Sequence, residues 1–165
     1  MTYSPLQELL DRIQKTGFCN AHGHFDRAYT VTREDLKETV NNHLFEKWKL
    51  VDDFKQNATM ERYFINFDKV LTSQKNFGVT SALSFVDQDP ICGDRALIAA
   101  LHAKKLGHQL GIKLRIANQT LKGVLKKEPR MLLESRIEDF DVIGCLPRAR
   151  SRSSRRCNEL GKTNR

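Results

Sequence analysis

Apolar side chains at helical spacing open the chain: Leu6, Leu9, Leu10 and Ile13 follow Ser4 and Pro5, and Gly17 closes the run. That spacing predicts a helix, with Ser4 as its cap, Pro5 at the first helical position and Gln7 placed for a capping box. The short apolar run 18–24 predicts a strand, and the charged, weakly patterned stretch from 32 to 57 a segment that is helical in part. Met60, Tyr63, Phe64, Phe67, Val70 and Leu71 mark an amphipathic helix that stops near Gly78. Residues 79–86 are rich enough in β-formers for a second strand. A helix over 94–106 closed by Gly107, a third strand at 112–117, a helix about 130–138 and a fourth strand at 141–146 complete the pattern.

Strands that alternate with helices at this spacing imply βαβ units and a parallel sheet with helices against it. Two architectures fit: an open doubly wound sheet, or part of an eight-stranded α/β barrel. No glycine fingerprint for a dinucleotide follows the first strand, which counts against the nucleotide-binding form of the open sheet.

The net charge of +8 changes this picture only at one end. Residues 148–165 hold seven Lys or Arg against one Glu, whereas the preceding 147 residues carry 21 basic and 19 acidic side chains. The body is near neutral, and the basicity belongs to an Arg/Ser-rich tail without apolar periodicity, expected to be disordered. Residues 1–147 are thus expected to form one domain and 148–165 a tail. No apolar run of membrane-spanning length and no secretory signal pattern occurs. The four cysteines at 19, 92, 145 and 157 are widely spaced. Reduced thiols and a cytoplasmic location are expected.

Candidate chemistry centres on the run FCNAHGHFDRAY at 18–29, which sets His22 and His24 one residue apart at the end of the first strand. Side chains two apart on a strand share a face, so both imidazoles project together, with Asn20 one step deeper on that side. Two imidazoles on one face suit a divalent ion such as zinc or iron. Asp26 is placed to orient a ligand histidine from behind. The bare pattern also admits polar strand-end residues bonded to nearby backbone.

The same run resembles the first metal-binding strand of the amidohydrolase superfamily, in its cytosine-deaminase-like branch. The resemblance continues through 78–87 (GVTSALSFVD), 116–125 (IANQTLKGVL) and 141–147 (DVIGCLP), similar to that branch's second, third and fourth strands. It implies about the first four βα units of a (β/α)8 TIM barrel, a divalent metal held partly by His22 and His24, and hydrolysis of carbon–nitrogen bonds. Where that branch carries a substrate-binding glutamine two residues before the third-strand glycine, this chain has Leu121, with Gln119 out of register. Ser84 and Phe85 stand where a histidine or arginine is frequent. The implied substrate is therefore a small amide or cyclic amidine other than cytosine.

The family's later ligands and its proton-handling carboxylates have no counterpart in this chain. His43, His102 and His108 fall on or beside predicted helices and are expected to have surface or capping roles. The expectation is a truncated, inactive copy, its reading frame shifted near Pro147, with self-association through open sheet edges and no nucleic-acid partner. The alternative from another class is a non-catalytic α/β module whose basic tail binds nucleic acid.

Overall fold

Three parallel strands, β1 (Phe18–Gly23), β2 (Val79–Asp87) and β3 (Lys113–Gln119), pair in chain order. The computed structural model describes residues 4–31, 33–41, 43–121 and 123–144. Six α-helices lie among them: α1 (Pro5–Thr16), α2 (Arg33–Thr39), α3 (Leu44–Asn57), α4 (Met60–Asn76), α5 (Arg95–Gln109) and α6 (Lys127–Arg136). α4 and α5 pack on each other and on the sheet. Phe67, Leu71, Leu97 and Ala100 from these helices bury Ala82 and Val86 of β2 and Leu114 and Ile116 of β3 in one core. Burial alternates over 82–86 of β2 and 113–116 of β3 and follows the helical period on α4 and α5, which sets one face of each element into this core.

The other sheet face is only partly covered. Leu83 and Phe85 are half-buried and Lys113 and Arg115 exposed, and a depression of about 330 Å³ lies along Cys19, Ala21, Leu83, Arg115 and Val142. Sequential strand order with helices packed against one face is compatible with a partial TIM-barrel-like fold.

Several predicted features shift. Ser4 caps α1 by accepting from Leu6 N–H, but Gln7 donates to Asp11 at 3.0 Å, one turn on, so no capping box forms. Gly107 does not end α5. The helix runs on to Gln109, and Gly107 serves close packing, since a Cβ there would lie 3.0 Å from the Ile112 carbonyl.

Among the described residues the predicted fourth strand is reduced to one bridge between Ala117 and Val142. Side chains take ladder positions on this edge: Asp141 Oδ2 accepts from Ile116 N–H at 2.9 Å, and Asn118 Oδ1 accepts from Gly144 N–H at 2.8 Å. Asp141 also holds Lys104 of α5 at 2.9 Å. Burial works against its ionisation, but the Lys104 and Ile116 hydrogen bonds outweigh it and hold the carboxyl below its ordinary range. Residues 145–147 and the basic tail at 148–165 lie outside the described residues. No helix among the described residues is long and apolar enough to cross a membrane.

Candidate functional site

β1 and β2 fall out of simple register between Asn20 and Gly23: Asn20 pairs with Ala82, yet Gly23 pairs with Ser84. Three steps on one strand oppose two on the other, the signature of a bulge, which re-aims the side chains beyond it. Asn20 therefore does not share a direction with the histidines. Its amide donates to Gln74 of α4 at 2.9 Å, on the helix side, while its oxygen accepts from His22 N–H. His22 within the bulge and His24 just past it come together, ring centroids 5.1 Å apart and edge to face. Both lie against Phe85 of β2, at 4.6 and 5.9 Å, on the face away from the helix layer. Gly23 between them is required sterically, because a Cβ would stand 2.4 Å from the buried Phe25 ring. Phe25 itself points into the core and its N–H donates to Ser84 Oγ.

The group on His24 is Arg27, not Asp26. Arg27 Nη2 lies 3.0 Å from His24 Nδ1 and donates to Gln119 Oε1 at 2.8 Å, and Nη1 pairs with Asp87 at 3.1 Å. Gln119, at the end of β3, thus reaches the histidine group despite its offset in sequence. Leu121 lies instead by Trp48, Val51 and Asp52. Burial, Arg27 and His22 together push His24 down to about 4, so the ring is neutral at pH 7.

Asp26 turns away, its Oδ2 accepting from Asp87 N–H at 2.9 Å and its carbonyl from Asn66 at 2.9 Å. Behind it lies a buried ionic cluster. Lys55, delivered by α3, pairs with Asp89 at 2.6 Å and Asp87 at 3.0 Å, its side chain 2% exposed. Burial opposes ionisation of both Lys55 and Asp89, but Asp87 and Asp89 together hold Lys55 up, and Lys55 holds Asp89 down. Asp26 is pushed up to about 7 by burial and by the adjacent Asp87 carboxylate. With Asp26 protonated, two cations face two carboxylates, a balance that buried charges require. Cys92, at the edge of this cluster, is no nucleophile: burial and Asp89 push its thiol up to about 12.

The imidazole pair suits a divalent ion in kind and falls short in number, since a catalytic zinc normally takes three protein ligands. Among the described residues no group of three or more His, Cys, Asp and Glu stands ready for a metal. The remaining histidines stay apart. His43 caps α3, its N–H donating to Glu46, and His102 packs edge-on to Phe64. His108 is exposed in the last turn of α5.

Comparison with known proteins places this geometry in context. No family model matches the chain. An uncharacterized protein of Haemophilus influenzae is 42% identical over 135 residues, which is 82% of this chain and 49% of that protein. The chain thus spans about half the length of the curated relative it matches. Two solved structures of a 5-methylcytosine deaminase from Klebsiella pneumoniae, one with phosphonocytosine and one with 5-fluorocytosine, are similar at TM-scores of 0.65 and 0.64 and 28% identity. They cover 74% of this chain, and this chain covers 30% and 29% of theirs.

Proposed function

We propose that residues 1–147 are the N-terminal part of an amidohydrolase-type (β/α)8 barrel whose His22 and His24 are two ligands of a divalent ion, zinc or iron. The reaction is hydrolysis of a carbon–nitrogen bond in a small amide or cyclic amidine. The observation that carries this reading is the meeting of the two imidazoles 5.1 Å apart at the C-terminal end of β1, where the active sites of such barrels are built. The likeness to a 5-methylcytosine deaminase over 74% of the chain supports it.

When bound, such an ion supplies Lewis acidity and a nucleophile at neutral pH. The chain's own residues do the holding. In this reading His22 and His24 are the nitrogen ligands, Phe85 packs against both rings, and Arg27 of the loop after β1 and Lys55 of α3 are both tied to the end of β2. Among the described residues two ligands stand together with no third His, Cys, Asp or Glu beside them, one short of the three protein ligands a catalytic zinc normally takes. Titration of the full chain with Co²⁺ or Zn²⁺ tests the reading. His22→Ala and His24→Ala are each expected to weaken binding at least about tenfold, as loss of one of two ligands requires. Binding unchanged in both variants refutes it.

A further inference from the structure

A guanidinium only donates hydrogen bonds. Arg27 Nη2 at 3.0 Å from His24 Nδ1 therefore makes Nδ1 the acceptor. Its lone pair is occupied, and in a neutral ring the proton then sits on Nε2. Neither nitrogen of His24 is left with a lone pair for a metal. Arg27 is not a loose surface side chain in this contact. Its two terminal nitrogens are engaged at once, by Asp87 at 3.1 Å and by Gln119 at 2.8 Å, and its side chain is 18% exposed. Asp87 is in turn held by Lys55. A planar fork fixed at both tines has little freedom to yield.

We propose that Arg27 is a positioning residue that competes with a divalent ion for His24. While the guanidinium is seated, His24 is locked as the Nε2–H tautomer and His22 is the lone free donor of the pair. An ion enters only when Arg27 leaves His24. This inference rests on the metal reading of the histidine pair and adds an internal cation that occupies the ion's place. It also sets the direction of the effect: the element next to the site that looks like support is an obstacle to metal.

Two measurements on the full chain test it. In ¹⁵N-labelled wild-type protein at neutral pH, long-range proton–nitrogen correlation of the imidazoles is expected to show His24 protonated at Nε2, with Nδ1 as acceptor. A proton on Nδ1 overturns the proposal without need of any variant. Co²⁺ titration then compares wild type with Arg27→Met and Arg27→Lys. The lysine variant keeps a cation for Asp87 but has no fork to span Asp87, Gln119 and His24. Both variants are expected to bind Co²⁺ at least tenfold more tightly than wild type, with the gain abolished by His24→Ala. Equal or weaker binding in both, with wild-type binding still lost in His22→Ala, overturns the competition and leaves the metal reading standing. No Co²⁺ binding by any of these proteins overturns both.

Discussion

Asp26 shows how a single side chain departs from what its type predicts. A carboxyl with 1% exposure beside a second buried carboxylate is better off neutral. Its Oδ1 has no hydrogen-bond partner among the described residues, which an ionised oxygen tolerates poorly. The consequence for stability has a definite sign. Between the ordinary carboxyl value of 3.8 and about 7, the folded chain keeps a proton that the unfolded chain releases. This contribution is fully present below the lower value and is lost as pH rises through the upper one. The Asp26 contribution to urea midpoints is therefore expected to decline between about pH 4 and pH 7, while His24, held down to about 4 in the folded chain, contributes the opposite slope between about pH 4 and its ordinary value of 6.5. Asp26→Asn, which keeps an oxygen for Asp87 N–H, is expected to flatten that decline. An identical pH profile in wild type and variant would place the proton elsewhere.

At the scale of elements, α3 is the instructive case. Its sequence reads as a charged surface helix, yet Lys55 is 1% exposed and closes the ionic cluster from 34 residues away from Asp89. Removing one partner of such a buried set strands the others, at a cost of about 3–5 kcal/mol. Lys55→Met is expected to destabilise the chain by about that amount in equilibrium urea unfolding, against near neutrality for an exposed lysine of the same helix such as Lys49. β1 teaches a related lesson. Its bulge leaves the His22–His24 spacing intact but separates Asn20 from that pair, because alternation holds only where the ladder is regular.

For the molecule as a whole, the sheet is open among the described residues. Among these residues β1 has a neighbour on one side alone, and the outer edge of β3 meets the short segment 141–144 through the Val142 bridge and the Asp141 and Asn118 hydrogen bonds. Half-buried Leu83 and Phe85 and the depression beside them lie on the face that the helices do not cover. Unpaired strand edges beside a partly apolar face that also carries Lys113 and Arg115 favour pairing with another chain. Sedimentation velocity over a tenfold concentration range is expected to show self-association, with the weight-average coefficient rising with concentration. A constant monomer value would contradict it.

What the sequence determined by itself is local. Apolar residues three and four apart marked α1, α4 and α5, short runs of β-forming residues marked β2 and β3, and His-x-His placed two imidazoles together, since each pattern depends only on near neighbours along the chain. What the tertiary structure decided is which distant groups meet. Arg27 finds Asp87 sixty residues on and Gln119 ninety-two residues on. Neither distance leaves a periodic trace, because the pairing of β1, β2 and β3 sets both. Arg27, three residues after His24, and the polar Asp87–Gln88–Asp89 ending of β2 were the visible hints, and Lys55 had none. The edge at 141–144 was decided in the same way: its apolar run was legible, but the Val142 bridge and the Asp141 and Asn118 hydrogen bonds form only once β3 and α5 are in place.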